Sequence, residues 1–442
     1  MKNHQKKSDI FNQNFFSNFL LSLIPISFIL GNLAINLNII LIILFSLLIF
    51  IKDDVNFKLI LFDKLILIYF SYILLIGIIN YIESIQITQN NQIILKSLAY
   101  LRYLMLYFSI RFLINKNLIN FKIFFYICSF CVMFVCLDLI YQFYFGQDIF
   151  GYIGTTRRLG GPFGDELIAG SYLYRFSFFL IFLFFAFENF KILKKKVKLP
   201  IFCLICALIS VSLILAGNRV PFFIFLVTSI LCFLFIKNEK IYFLSLIIIS
   251  VGSLIVMINS NVEIKKHYGG FQTKVIDFFN PFSEDNIVKF ENAEKPTIDE
   301  KKYSISLRGE RYIFSSVYVK EFYSGYKTWS ANKLFGGGVK TFRFNCPKVF
   351  HNCNTHPHNY YLEILSDLGL IGFLMIISFF TYLLFKSFLI YQSLILSPFL
   401  FLLIGEIFPF KSTGSFFTTQ NSVFIFLLIS IIISLLNKKD LN

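Results

Sequence analysis

The run HNYYLEILSDLGLIGFLMIISFFTYLLF, His358–Phe385, decides the fold: a polar His-Asn pair leads straight into an apolar helix of membrane-spanning length. About 20 apolar residues cross about 30 Å of hydrocarbon, and a backbone there must satisfy its hydrogen bonds within its own segment. The same kind of run recurs along the chain. Spans are read near 15–34, 37–51, 59–79, 93–114, 121–145, 167–187, 199–216, 220–236, 241–258, 361–385, 389–408 and 421–436, with the short second run able to serve as a hairpin partner of the first.

Composition agrees, with 57% hydrophobic residues, 19% aromatic residues and a mean hydropathy of +0.71 over 442 residues. These values belong to a multi-spanning membrane protein and exclude a soluble globular one. The expected class is an all-α polytopic membrane protein of about 12 transmembrane helices with one large loop outside the membrane. The first apolar run continues past Pro25 without a small-residue cleavage site, so it is read as a retained anchor. The 60 phenylalanines are read as compositional background.

Lysine and arginine in short loops stay on the cytoplasmic side. Lys2, Lys6 and Lys7 precede the first span, Lys52, Lys58 and Lys64 follow the second, and Arg111, Lys116 and Lys122 follow the fourth. Lys191 to Lys198 follow the sixth, Lys237 and Lys240 the eighth, Lys386 the tenth, and Lys438 and Lys439 the last. This alternation puts both termini in the cytoplasm. It also accounts for much of the +16 net charge, so no nucleic-acid partner is implied. Three regions result: an N-terminal bundle over 1–258, an outward loop domain over 259–357, and C-terminal helices over 358–442.

A polar loop of that size is either functional or disordered. Its second half favours order, since Tyr312, Ser316, Val319 and Phe322 are spaced as on an amphipathic helix from Arg308 to Phe322. On such a helix Arg308 and Arg311 share a face. Gly336-Gly337-Gly338 reads as a tight turn, or as a phosphate-cradling loop. Cys346 and Cys353 sit beside His351, His356 and His358. In an oxidising compartment a disulfide is the natural expectation, with a zinc site as the rival reading. The other six cysteines fall within spans and are read as packing.

Asn359 is a good helix-capping residue, so His358 should sit at a helix mouth. The positive end of the helix dipole there disfavours a protonated imidazole and keeps it able to accept a proton. His358 is therefore either a capping residue or a general base. Gly369 and Gly372, three apart, allow a neighbouring helix to pack closely. Arginines on the outward side bear on the choice: Arg157 and Arg158 precede Gly160-Gly161-Pro162, Arg219 opens the eighth span, and Arg308 and Arg311 lie in the large loop. Arginine suits forked binding of phosphate oxygens. Arg102 and Arg175 are read instead as snorkelling to a membrane edge. A neutral histidine beside such arginines implies group transfer from a lipid-linked phosphate or diphosphate, with no metal needed.

His358-Asn359, nine residues, then Gly369-Leu-Ile-Gly372 resembles the signature of the O-antigen ligase and O-antigen polymerase superfamily of bacterial inner-membrane glycosyltransferases. Arg311-Tyr-Ile-Phe, Leu334-Phe335-Gly336-Gly337-Gly338 and Gly217-Asn218-Arg219 resemble further family features. Gln142-Phe-Tyr-Phe-Gly146 and Arg158-Leu-Gly-Gly-Pro-Phe-Gly164 resemble weaker ones, so the likeness runs from about Tyr141 onward. Asn332-Lys333 stands where the family often has a proline.

The resemblance implies inverting, metal-independent transfer of a sugar chain from undecaprenyl diphosphate to an acceptor hydroxyl at the periplasmic face of the inner membrane. His358 would be the base, and Arg219 and Arg311, with Arg308 as a second candidate, would hold the diphosphate. Asn359, His356, Arg158, Gly369 and Gly372 would support them. The single large outward loop and the short sequence after the signature favour a ligase acting on lipid A–core in lipopolysaccharide biosynthesis. Polymerase and protein O-oligosaccharyltransferase are the alternatives within the family. A lipid-linked glycan flippase is the alternative outside it, and Asp138 and Arg175 are the intramembrane charges such a protein would use. No cofactor is implied.

Overall fold

We describe a computed structural model covering residues 2–53, 57–85, 91–155, 157–187, 195–269, 287–290, 304–307, 310–314, 317–350, 353–388, 392–409, 411 and 414–440. The membrane-spanning part is an all-α polytopic bundle. Its helices are α1 (Lys2–Leu30), α2 (Asn32–Lys52), α3 (Leu61–Ile85), α4 (Gln92–Asn115), α5 (Phe121–Phe145), α6 (Ala169–Ala186), α7 (Lys195–Leu215), α8 (Arg219–Phe235), α9 (Lys240–Ser260) and α10 (Val262–Gly269). After these come α11 (Val317–Ala331), α12 (Phe342–Val349), α13 (Tyr360–Phe388), α14 (Ser397–Glu406) and α15 (Thr419–Asp440).

Among the described residues ten helices are long and apolar enough to cross a membrane, and α8 and α14 are shorter apolar helices. Together they correspond one to one with the twelve runs read from the sequence. Gly31 joins α1 to α2, and Phe16 meets Phe45 at 5.9 Å, so the two form an antiparallel pair. With 21 residues, α2 is long enough to cross rather than merely to turn back. In contrast α14 has ten residues, about 15 Å at the helical rise. It starts late because Pro398 lacks an N–H and fits only the first turn. Its short length is tolerated because Phe399 to Leu403 are wholly enclosed by protein.

Phenylalanine does much of the packing at the centre. Phe179 of α6 lies 5.1 Å from Phe124 and 5.2 Å from Phe125 of α5, and 5.0 Å from Phe399 of α14. Edge-to-face and tilted pairs of this kind add about 0.5–1.5 kcal/mol each beyond their buried area. What reads as background composition is thus the filling of the core.

The two faces of the bundle differ in charge. Lys116 bridges to Asp53 at 2.9 Å and Lys438 bonds Asn117, gathering the ends of α2, α4 and α15 on a lysine-rich face. At the opposite face Asn80 donates to the Gly336 carbonyl at 3.3 Å, and Lys96 lies 4.7 Å from the Phe344 ring. His358 and the described helices of the large loop lie on this second face.

The amphipathic helix expected from Arg308 to Phe322 is corrected. Ile287–Phe290 (β1), Ser304–Leu307 (β2) and Glu310–Phe314 (β3) form an antiparallel sheet in the order β1-β3-β2, and α11 begins only at Val317. Leu307 pairs with Glu310, leaving a two-residue connection ending in Gly309, and the β-prone Tyr312-Ile313-Phe314 follows. Arg311 is therefore a strand residue, opposite Phe290 and Ser306, and the shared helical face with Arg308 does not exist. Arg308 and His351 lie outside the described residues, as does the side chain of Arg311.

Buried charge is also placed differently. Arg175 does not snorkel; it is 4% exposed, and its Nε and Nη2 donate to Glu406 at 2.8 and 3.2 Å. Arg111, read as a loop charge, is inside α4 and paired with Asp63. Asp138 is buried and accepts from the Ile149 N–H at 2.9 Å.

Candidate functional site

The histidine loop is built on Asn359. Its Oδ1 accepts from the N–H groups of Tyr361 and Leu362 at 3.0 and 3.1 Å, capping α13, while its Nδ2 donates to the Pro409 carbonyl at 2.9 Å. The helix start is thereby tied to the segment after α14. Immediately before the cap, His358 has φ +53°, a left-handed conformation that L residues seldom adopt and that concentrates at functional sites.

Asn354 Nδ2 lies 2.8 Å from His358 Nε2. An amide nitrogen only donates, so Nε2 accepts and the ring hydrogen resides on Nδ1. The His356 ring lies 4.2 Å away, tilted by 46°, with Nδ1 at 3.0 Å from Thr355 Oγ1 and Nε2 buried without a partner. Burial holds the His358 imidazole below its ordinary pKa, and burial with neighbouring His358 and Arg343 brings His356 down to about 4. Both rings are neutral at pH 7. Desolvation is the cause that favours the neutral form.

The two glycine motifs form one structure. Gly369 has φ +68° and ψ −174° and interrupts α13, leaving backbone groups on either side without helical partners. The glycine-rich turn takes them: Gly337 and Gly338 donate to the carbonyls of Ser366 and Asp367 at 3.3 and 2.7 Å, and Leu370 and Ile371 donate to those of Lys333 and Leu334 at 2.8 and 3.3 Å. The Asp367 carboxylate accepts from the N–H groups of Lys340 and Phe342 at 2.6 and 2.8 Å, fixing the start of α12. So Gly369 serves a turn rather than a packed helix, and the tight-turn reading of Gly336 to Gly338 holds. Gly372 packs beside Tyr72 of α3. Cys346 of α12 is joined to Cys353 by a disulfide with Cα atoms 6.0 Å apart, which anchors the loop one residue before Asn354.

Across the same face lies a cationic cluster. Arg219 opens α8, and its Nη2 is 3.2 Å from His267 Nδ1, while His267 Nε2 is 2.8 Å from the Gly217 carbonyl. Burial, foremost, and the arginines keep His267 below its ordinary pKa. Gly217, at φ +66°, lets the 157–158 backbone press against this turn, for a Cβ there would stand 2.3 Å from the Arg157 carbonyl oxygen. Gln142 secures that loop, donating to the Tyr152 carbonyl at 3.0 Å and accepting from Gly161 N–H at 2.9 Å. Arg157, Arg158, His267 and Tyr268 line a cavity of about 230 Å³. Among the described residues no carboxylate bridges Arg157, Arg158 or Arg219. Phe223, one turn into α8 from Arg219, meets Phe408 at 6.3 Å, next to the Pro409 that Asn359 holds.

Residues 204–377 match the family model described as O-antigen ligase. Over these residues the chain is similar to the O-antigen ligase family. The ligase-family segment runs from α7 to α13 and takes in Arg219, His267, Arg311, the glycine turn, His358, Gly369 and Gly372; Arg158 lies upstream of it. No curated protein matches the chain detectably. The match supports a glycosyltransferase-like membrane enzyme of the O-antigen ligase or polymerase type, using lipid-linked glycan and an acceptor.

Sequence reasoning missed His267 and Asn354, and the partners Glu406 and Lys411 that Arg175 meets.

Proposed function

We propose that the protein transfers a glycan from undecaprenyl diphosphate to an acceptor hydroxyl at the periplasmic face of the bacterial inner membrane, acting as an O-antigen ligase on lipid A–core. The observation that carries this reading is a neutral His358, with Nε2 in the accepting state, on the same face as arginines that no described carboxylate neutralises.

In this reading the diphosphate lies against Arg219, Arg157 and Arg158, with Arg311 and Arg308 contributed by the large loop. Asn354 yields its place at His358 Nε2 to the acceptor O–H. The acceptor oxygen bonds to the anomeric carbon from the face opposite the diphosphate, the carbon–oxygen bond to phosphate breaks, and the proton passes to Nε2. The departing dianion is met by fixed guanidinium groups in a partly desolvated site, where such charges are worth more than in water. The positive loop charge lies on the other face, which supports the outward placement of the site. One extended segment at this face, beside a short one between α5 and α6, favours ligation over polymerisation.

Purified protein given an undecaprenyl-diphosphate-linked glycan and a choice of acceptors tests the reading by product size. A shift of lipid A–core by whole glycan chains supports ligation; growth of the lipid-linked chain itself makes the protein a polymerase.

A further inference from the structure

Arg219 meets a side chain that takes no direct part in the transfer reaction. His267, on α10, is 7% exposed and lies against the turn from Gly217 to Arg219 that starts α8. Its Nε2 is 2.8 Å from the Gly217 carbonyl oxygen and its Nδ1 is 3.2 Å from Arg219 Nη2. A carbonyl only accepts and a guanidinium only donates, so one tautomer serves both contacts: Nε2 carries the hydrogen, and Nδ1 accepts from Arg219. Arg219 Nε, 3.4 Å from His267 Nε2, faces the same ring. The middle of the turn is held independently, since Asn218 donates to the Leu167 carbonyl at 3.1 Å and accepts from the Gly170 N–H at 3.3 Å. The N–H groups of Arg219 Nη1 have no hydrogen-bond partner among the described residues, so the contact with His267 leaves them open to a ligand.

We infer that His267 is a positioning residue for Arg219: as the Nε2–H tautomer it ties the guanidinium to the Gly217 backbone and presents it, still fully charged, to the lipid diphosphate. The inference rests on the reading of Arg219 as a diphosphate ligand. A neutral imidazole suits this task in a way that a carboxylate does not. An aspartate or glutamate would hold the guanidinium but cancel its charge and compete with the anion for its hydrogens. An arginine held beforehand also gives up less rotamer freedom when the ligand arrives. The surroundings keep the ring uncharged, because it is buried and faces Arg219, Arg158 and Arg157. His267 lines one cavity with Arg157 and Arg158, so Arg219 is held beside the space that the other two arginines border.

His267→Gln offers a donor and an acceptor side by side, as the ring does; His267→Ala offers neither, and His267→Glu offers an acceptor that carries a charge. Binding of undecaprenyl diphosphate to the purified, detergent-solubilised variants reads the effect, with kcat measured in reconstituted transfer. The expected result is a Kd raised about fivefold or more in His267→Ala, with kcat within about twofold, and a Kd recovered to within about twofold in His267→Gln. His267→Glu should bind more weakly than His267→Gln by about tenfold or more, because its charge offsets that of Arg219. Adding His267→Ala to Arg219→Ala should cost nothing further. Should His267→Ala fail to accumulate in membranes, His267→Gln against His267→Glu carries the test. An unchanged Kd in His267→Ala, a loss that His267→Gln does not recover, equal binding by His267→Gln and His267→Glu, or losses that multiply in the double variant overturn the positioning role. Normal binding by Arg219→Ala would instead overturn the reading of Arg219 as a diphosphate ligand.

Discussion

Gly369 lies in backbone contact with Leu334: a Cβ at position 369 would stand 2.2 Å from the Leu334 carbonyl oxygen. The contact joins the break in α13 to the turn before α12, and both support the loop that carries His358. Gly369→Ala would combine that clash with a backbone conformation nearly confined to glycine. The expected loss is on the order of 3 kcal/mol or more, read as a lowered Tm of the detergent-solubilised protein. A Tm unchanged within a degree would show that the turn adapts freely.

Arg219 reaches His267 through Nε and Nη2 and lies beside Arg157 and Arg158. Lysine keeps the charge but loses the fork. Arg219→Lys should raise donor KM about tenfold or more, measured in the reconstituted transfer assay, with abundance unchanged. Normal donor KM would remove Arg219 from diphosphate binding.

Glu406 is shared between Arg175 and Lys411, all three buried. Glu406→Leu strands two cations, whereas Arg175→Met leaves Glu406 with Lys411 as partner. Breaking a buried pair from one side costs about 3–5 kcal/mol. Thermal unfolding should therefore rank Glu406→Leu as clearly more destabilising than Arg175→Met. The reverse order would show that Lys411 does not share the pair.

Desolvation lowers the His358 pKa in the folded protein, so the imidazole takes up its proton only at a pH below its ordinary value of about 6.5. Since the base works in its neutral form, transfer should persist as pH falls through 6.5 and decline below it. An acid limb of kcat/KM at or above 6.5 would contradict the buried placement of His358.

The bundle was legible because run length and lysine placement are local properties, and each of the twelve runs became an apolar helix. What escaped depends on distant partners or on local shape. The Arg175–Glu406 pair spans 231 residues, and without its partner Arg175 looks like a snorkelling residue. The run 389–408 is apolar throughout, and only Ser397-Pro398 marks where α14 begins. Helical spacing after Arg308 was coincidental, and the Gly309 hairpin signal carried the information instead. At the site, the His-Asn spacing and the glycines were visible, but Gly369 looked like a packing face because its break exists only in company with Leu334. Asn354 became visible once the disulfide loop was placed beside His358.

Transfer by His358→Ala protein, with undecaprenyl diphosphate binding measured in parallel, tests the account most directly. The account predicts a fall in the transfer rate of about 10²- to 10⁴-fold, the scale of a lost general base, with lipid diphosphate binding within a few-fold of the unaltered protein. Transfer at a near-normal rate would contradict it.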